Sequence, residues 1–278
     1  GGGGRGTRVV HDRHDLEEAC ERCQSEALAF VGVGDGDGEE VVPRARHIEV
    51  QILGDTSGSI VHFGDRECSV QRRNQKVIEI APAPNLAPSL REKMTSAAVS
   101  FAHQEKYMSL GTFEFLVLDK GVEDDRSAGS AIEDDFVFIE ANARLQVEHT
   151  VTEEVTGFDL VRGQIAVAFG FSLTDLGLDA QAPPTLSGFA IQARVNLETI
   201  TTDGGVRPGS GRLVRYEPPN GPGVRTDGFG YVGYKTSIAY DSLLAKVIVH
   251  ERSSNFSDVA RKAIRALSEF HLEGARNN

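Results

Sequence analysis

The run Glu140-Ala-Asn-Ala-Arg-Leu-Gln-Val-Glu148 alternates polar and apolar residues, with Glu140, Asn142, Arg144, Gln146 and Glu148 at the even positions. If extended, it puts two carboxylates, an amide pair and a guanidinium on one face. A solvated edge strand alternates too, but such faces are rich in Lys, Glu and Thr, whereas Asn, Arg and Gln suit directed hydrogen bonding. The run ends at His149 and a Thr/Glu-rich turn. Glu114 is the single charge in Thr112-Phe-Glu-Phe-Leu-Val117. If this strand pairs with residues 136–140, Glu114 and Glu140 converge. Two carboxylates with an adjacent Asn make the open, oxygen-only site that Mg²⁺ prefers, leaving positions for water and phosphate oxygens. The competing role is a carboxylate paired with a nearby Arg.

A second cluster, Gln71-Arg-Arg-Asn74-Gln-Lys76, is basic. Such a run is ordinarily a solvated face. In an acidic protein, beside a candidate Mg²⁺ site, it is what a polyphosphate and a bicarbonate-sized anion need. A third feature, Gly1-Gly-Gly-Gly4-Arg-Gly6, offers backbone that can approach phosphates closely, or else a disordered terminus. No strand precedes it and no Lys-Ser/Thr follows, so it is not a P-loop. His11, His14, Cys20 and Cys23 have zinc-like spacing, but Cys20 and Cys23 fall on the apolar stripe of Leu16 and Ala27, which reads as buried thiols in a helix. Cys68 has no base nearby in sequence and reads as structural.

The elements that position these residues follow from periodicity. Asp15 and Glu18 form a capping-box pattern opening a helix with Leu16, Ala19, Cys20, Cys23 and Ala27 on one face. Residues 47–53 alternate, with Ile48, Val50 and Ile52 opposite His47, Glu49 and Gln51; a turn at 55–58 and a return strand at 59–63 complete a hairpin. Residues 90–103 read as an amphipathic helix bearing Leu90, Met94, Ala97, Ala98 and Phe101, and 112–118 and 136–140 as strands. The acidic segment 120–135 reads as an exposed hairpin loop, and 160–169 as a helix. Beyond Gly188 come short strands, then a helix with Phe256, Val259, Ala260, Ala263, Ile264, Leu267 and Phe270 on its apolar face. The class is α+β, strand-rich in the middle.

Composition narrows the function. The 278 residues hold 29 Lys+Arg against 41 Asp+Glu, a net charge of −12, which argues against a surface for nucleic acid or anionic membrane. Three Cys are too few for a disulfide framework, pointing to a reducing, cytosol-like compartment. The apolar runs fall short of a membrane span. A glycine loop at the front, with no initiator Met, gives the expectation of a chain cut open within a domain.

Taken together, Gly1-Gly-Gly-Gly-Arg-Gly, Arg46-His-Ile-Glu-Val-Gln, Glu67-Cys-Ser-Val-Gln-Arg-Arg, Glu79-Ile-Ala-Pro-Ala-Pro, Gly111-Thr-Phe-Glu-Phe-Leu, Arg144-Leu-Gln-Val-Glu-His-Thr-Val-Thr-Glu and Tyr240-Asp-Ser-Leu-Leu-Ala-Lys resemble biotin carboxylase, the ATP-grasp component of biotin-dependent carboxylases. The resemblance covers nearly the whole chain, and Glu140-Ala-Asn-Ala-Arg with Asn196-Leu-Glu looks more like the large acyl-CoA carboxylases than stand-alone subunits. It implies an ATP-grasp fold of three parts: a lid remnant at 1–42, a catalytic core at 43–180 and a C-terminal region at 181–278.

The same resemblance implies ATP- and Mg²⁺- (or Mn²⁺-) dependent carboxylation of biotin by bicarbonate, within an acyl-CoA-type or pyruvate-type carboxylase. Glu114, Glu140 and Asn142 are implied to hold Mg²⁺, Gly3 and Gly4 to close over the phosphates, Glu39 to sit at the adenine hinge, and His47 and Gln71 to lie near the nucleotide. Lys76, Arg144, Gln146 and Val147 are implied to surround bicarbonate, Glu148 to act as its general base, and Arg194 to stabilise the biotin enolate. The implied partners are a biotin carboxyl carrier domain and a carboxyltransferase, with a homodimer, in the cytoplasm or the mitochondrial matrix.

The chain departs from the family pattern in several ways, among them an acidic 120–135 loop that looks longer than usual and a C-terminus expected to stop short of the family's final segment. The family has His where Asn74 stands, and its hinge strand is apolar where this chain has Gly36-Asp37-Gly38. Its N-terminal domain, with two ATP-binding Lys, is expected upstream of Gly1, so the isolated chain is expected to cleave little ATP. Two further readings are a ligase of the carbamoyl-phosphate synthetase branch and a non-catalytic nucleotide-binding fragment.

Overall fold

The computed structural model describes residues 8–36, 38–42, 44–72, 74–118, 136–201, 205–237 and 241–278. The alternating segments build one antiparallel sheet. β1 (Arg46–Gly54) turns into β2 (Ile60–Arg72) through a loop in which the Asp55 carboxylate accepts the Ser57 and Ser59 amide N–H groups at 2.9 and 3.1 Å and Gly58 takes φ +87°. β3 (Gln75–Ala81) returns past Asn74, whose φ of +60° lies in the left-handed region that Asn tolerates better than most side chains. β4 (Ser109–Val117) and β5 (Phe136–Asn142) extend one edge. β6 (Phe189–Asn196), β10 (Val224–Gly228) and β11 (Leu243–Glu251) extend the other, giving the order β10-β11-β6-β3-β2-β1-β4-β5. Two small pairs lie outside this sheet: β7 (Glu198–Ile200) with β8 (Val206–Pro208), and β9 (Arg215–Glu217) with β12 (His271–Glu273).

Period-2 geometry sends successive side chains to opposite faces. Ile48, Val50, Ile52, Phe113, Phe115 and Val117 meet Met94, Ala98 and Ala102 of α2 (Pro88–Gln104), which opens with Pro at its first turn. On the same face α5 (Phe256–Ser268) sets Val259 and Ala266 against Ile191, Val195, Val247 and Val249, capped by the Asn255 side chain. The other face carries α3 (His149–Thr156), whose Val151 and Val155 meet Ala81, Ala190 and Ile248. It also carries α4 (Leu160–Ala168), whose Leu160 and Val167 meet Leu53, Val61, Phe63 and Leu110. Each such fully buried side chain contributes about 1.5–3 kcal/mol.

Several expectations need correction. The helix α1 (Leu16–Val31) is preceded by a short 3₁₀ turn whose cap is Asp12, accepting the His14 N–H at 2.9 Å. Asp15 has helical φ and ψ and makes no side-chain cap bond, so the Asp15–Glu18 capping box does not form. No described residue of α1 is buried; Leu16 and Cys20 are exposed and Cys23 half-buried, because the described part of α1 packs on no strand of the sheet. Cys20 is therefore not a buried thiol. His11, His14, Cys20 and Cys23 form no metal-ligand cluster among the described residues.

The strand expected at 59–63 runs on to Arg72. The run from Glu140 to Glu148 is not one strand: β5 stops at Asn142, and His149 begins a helix instead of a turn. Ile264 is 67% exposed, placing it off the buried face of α5, and Leu267 is exposed as well. The glycine loop and the acidic segment 120–135 lie outside the described residues.

Phe115 is fully buried and meets Phe136 edge-on at 5.5 Å. Phe115→Ala is expected to lower the unfolding free energy by about 3–5 kcal/mol, read from the urea midpoint at unchanged slope. Cys68 is buried, and burial pushes its thiol well up. Brief alkylation of the folded protein, followed by peptide mass analysis, is expected to label Cys20 first and leave Cys68 unlabelled until denaturant is added.

Candidate active site

Strand register assembles the chemistry. Glu49 of β1 lies directly across from Arg66 of β2 on one side and from Glu114 of β4 on the other, and Glu114 lies across from Glu140 of β5. Directly opposed residues in an antiparallel pair share a face, so these four point toward the α3 side. Farther along, Gln71 pairs with Lys76, Glu79 with Gln192, and Arg194 with Lys246. The loop between Asn142 and α3 then folds over this row and delivers Gln146 and Glu148, both buried.

Lys76 is the centre. Its ammonium donates to Glu49 Oε2 and Glu148 Oε1, each at 2.6 Å, with Gln146 Oε1 at 3.3 Å and Glu114 Oε1 at 3.4 Å. Burial opposes the charged form, but Glu49, Glu148 and Glu114 hold the Lys76 pKa above its ordinary value. The other oxygen of Glu49 accepts Arg66 Nε at 2.5 Å. Arg66 is wholly buried and also donates to Gln51 at 2.8 Å and Thr152 at 3.0 Å. Against the cost of burial, the Arg66 and Lys76 charges keep Glu49 below the usual carboxylate range.

Glu114 gathers donors from three strands and a loop. Its Oε2 meets His47 Nε2 at 2.5 Å, and its Oε1 accepts Asn142 Nδ2 and Gln146 Nε2, both at 2.8 Å. Gln71 Nε2 donates to His47 Nδ1 and to the Cys68 carbonyl, both at 2.8 Å, which leaves the His47 proton on Nε2, facing Glu114. Burial raises the Glu114 carboxyl, yet the His47 hydrogen bond and Lys76 charge outweigh it and bring it down to about 2. Arg194 reaches Glu79 Oε1 at 2.5 Å and Glu148 Oε2 at 3.1 Å, joining the two halves of the row.

Of the residues expected to act, Lys76, His47, Gln71, Glu114, Asn142, Gln146, Glu148 and Arg194 fall in this one network. Of the run's described cations, Lys76 is turned inward and Arg72 is ion-paired to Glu198, while Asn74 and Gln75 are exposed. Glu140 stands at the exposed rim, linked through Asn142 Nδ2 at 3.1 Å, and exposed Arg144 reaches Asn142 Oδ1 at 3.3 Å. Val147 joins by its carbonyl, which accepts from Lys246. Glu39 is exposed between α1 and β1 and is not drawn into the network. Gly3 and Gly4 lie outside the described residues.

Sequence reading did not single out Glu49, Arg66, Glu79 or Lys246 as site residues. The test applied to Glu114, a lone acid within a strand, also fits Glu49. Arg66, between Asp65 and Glu67, carries no such signal.

The donor set fits a hard divalent cation. By residue type it is two carboxylates and a side-chain amide: Asn142 Nδ2 donates to Glu114 Oε1 and Glu140 Oε1, which brings the two acids together at a rim whose outer member is exposed, while Asn142 Oδ1 faces Arg144. A second group, His47, Glu49 and Glu114, also has ligand atoms within 4.8 Å of one another, but Lys76 already neutralises it.

Residues 1–176 match the family described as carbamoyl-phosphate synthase L chain, ATP binding domain, and residues 192–278 match the biotin carboxylase C-terminal domain. The chain belongs to the ATP-grasp family that these two domains define, in its biotin carboxylase branch. It is 47% identical to pyruvate carboxylase 1 of Caenorhabditis elegans, over all of this chain and 22% of that protein. Biotin carboxylase of Campylobacter jejuni, in a β,γ-ATP complex, superposes with a TM-score of 0.87 at 38% identity, covering 100% of this chain and 57% of that one. The biotin carboxylase domain of Hydrogenobacter thermophilus 2-oxoglutarate carboxylase, a dimer with MgADP, ADP and bicarbonate, gives 0.86 at 36% identity, covering 100% and 56%. The chain thus spans about a fifth of the length of the curated relatives it matches.

Because Glu114 is depressed from near 4.3 in an unfolded chain to about 2, its stabilisation is present above pH ~4.3 and is lost as pH falls toward 2. The stability gap between the parent protein and Glu114→Gln, from urea titrations, is expected to shrink by on the order of 3 kcal/mol between pH 6 and pH 2.

Proposed function

We propose that this chain carries out the ATP- and Mg²⁺-dependent carboxylation of biotin by bicarbonate, through carboxyphosphate, as part of a larger carboxylase. The observation that carries this reading is the Lys76–Glu148–Arg194 chain beside the Glu114/Glu140/Asn142 rim: a cation and a carboxylate for a small oxyacid next to an oxygen-only site for a nucleotide's metal. The complex of the Hydrogenobacter thermophilus domain with MgADP and bicarbonate supports it.

On this reading Glu114, Glu140 and Asn142 hold the metal, which supplies neutralisation of the phosphate oxygens during transfer. Lys76, Arg144, Gln146 and the Val147 backbone orient bicarbonate. Glu148 takes the proton from bicarbonate, whose oxygen then forms a bond to the γ-phosphorus as the bond to ADP breaks. Carboxyphosphate then splits into CO₂ and phosphate, the phosphate takes the ring N–H proton of biotin, and Arg194 stabilises the resulting oxyanion as the ring nitrogen bonds to CO₂. His47 and Gln71 lie toward the nucleotide, with Glu39 at the adenine and Gly3 and Gly4 over the phosphates. Residues 1–42, 43–180 and 181–278 divide as lid, catalytic core and C-terminal region.

A biotin carboxyl carrier domain and a carboxyltransferase are the partners this chemistry requires. A homodimer follows the Hydrogenobacter thermophilus domain. The similarity to pyruvate carboxylase 1 favours a pyruvate-type over an acyl-CoA-type parent. No helix among the described residues is long and apolar enough to cross a membrane, and we place the protein in the cytoplasm or mitochondrial matrix.

In the naturally made protein, ADP release is expected to require bicarbonate and to rise with free biotin. Glu148→Gln is expected to lower it about 10²- to 10⁴-fold with Mg-ATP binding retained. Stimulation by ammonia and not by biotin would move the chain to the carbamoyl-phosphate branch.

A further inference from the structure

Lys246 is a charge with no role in the reading above. It sits in the apolar strand β11, is 9% exposed, and lies directly across from Arg194. Like charges directly opposed on a sheet are unfavourable, and burying an ammonium adds to that cost; burial indeed lowers the Lys246 pKa. Something must offset both. Arg194 is turned to Glu79 and Glu148, whereas Lys246 reaches the other way. Its Nζ donates to the Val147 carbonyl at 3.0 Å. The nearest acid, Asp227, is at 3.5 Å and is already held by Arg225 through two hydrogen bonds of 2.8 Å. The short contact of this lysine is therefore to a backbone carbonyl of the loop that delivers Glu148.

A trans peptide is planar, with C=O and N–H antiparallel. Fixing the Val147 carbonyl thus fixes the peptide from which the Glu148 side chain departs. The preceding peptide is fixed in the same way: the Gln146 carbonyl accepts from His149 Nδ1 at 2.8 Å and from the His149 amide at 3.3 Å, which sets the direction of the Val147 N–H. Two consecutive peptides between β5 and α3 are thus held, one within the turn by His149, the first residue of α3, and one from β11 by Lys246. Glu148 then meets Lys76 at 2.6 Å and Arg194 at 3.1 Å.

We infer that Lys246 is a positioning residue for the Val147–Glu148 peptide, holding the bicarbonate-facing loop in the geometry that Glu148 needs. The inference rests on the biotin carboxylase reading of the site. A carboxylate and an amide N–H that must meet one small anion tolerate displacements of only a few tenths of an ångström.

The test is steady-state kinetics on the naturally made protein. Lys246→Met keeps the buried methylenes and removes the donor. It is expected to lower kcat/KM for bicarbonate tenfold or more, with the KM for Mg-ATP within twofold of the parent value. Lys246→Arg, which keeps a donor near the carbonyl, is expected to recover most of the loss. A merely structural lysine would lower Tm and the yield of folded enzyme but leave the bicarbonate parameter of the folded fraction unchanged, and that result overturns the proposal. If Lys246→Met does not fold, Lys246→Gln, polar but too short to reach, must show the same bicarbonate-selective loss, and an unchanged kcat/KM again overturns it. Absence of bicarbonate-dependent ATP cleavage in the parent instead overturns the functional reading, and this inference with it.

Discussion

The Glu49 carboxylate, inaccessible to solvent, has one oxygen on Arg66 and the other on Lys76, and the architecture of the site follows from that division. An ionised carboxylate without partners in such a place costs many kcal/mol, and losing one partner of a buried pair typically costs about 3–5 kcal/mol. Both cations must therefore arrive in register. Arg66 does so as the direct cross-strand neighbour in β2, and Lys76 by way of the tight β2–β3 hairpin. A slip of one residue between β1 and β2 would send Glu49 toward α2 and its apolar contacts, so the charge network and the hydrophobic pattern enforce the same pairing.

The second consequence is electrostatic. Glu49, Glu79, Glu114 and Glu148 face Lys76, Arg66 and Arg194, so acids outnumber permanent cations. The imbalance falls on Glu79: burial pushes its carboxyl up to about 7 against the pull of Arg194, with the Glu148 charge adding to the rise. Glu114 moves the opposite way because its donors are many and well directed. Two of the cations at the site are already held by acids, Lys76 by Glu49 and Glu148 and Arg194 by Glu79 and Glu148, whereas exposed Arg144 reaches, among the described residues, only Asn142 Oδ1 and the Leu145 carbonyl. Any anion that draws on Lys76 or Arg194 does so in competition with Glu148.

Sequence carried much of this, for identifiable reasons. Period-2 alternation at 47–53 and 112–117 separates a core face from a polar face, and the lone Glu114 marks where the polar face is buried. The meeting of Glu114 with Glu140 was legible once the two strands were taken as partners, but the irregularity between Glu114 and Phe115 that sets their register, with Phe138 left exposed, was not. Glu148 was legible by type but not by conformation. Alternation continues past Asn142 although the chain leaves the sheet there, and nothing in the pattern marks the bend that aims Glu148 back at Lys76. Arg66 and Lys246 were hidden because the meaning of a buried cation depends on partners far along the chain: Thr152 is 86 residues from Arg66 and Val147 is 99 from Lys246. The apolar stripe of α1 misled for the converse reason. Periodicity predicts a buried face but not the surface that covers it.

The two segments that match separate family descriptions form one continuous sheet and one polar network. β3, from the first, pairs with β6, from the second, so the sheet has no seam between them. Lys76, Glu114 and Glu148 belong to the first segment, Arg194 and Lys246 to the second, and the bonds that join them are short: Arg194 to Glu148 and Lys246 to the Val147 carbonyl. Inserting a boundary at 177–191 would leave Glu148 with Lys76 alone and the loop that bears it without its anchor in β11. Such a loop, with few apolar contacts of its own, would sample many conformations. The second segment is therefore part of the site: it supplies both a counter-charge for Glu148 and a hydrogen bond to the Val147 carbonyl, on the peptide from which Glu148 extends.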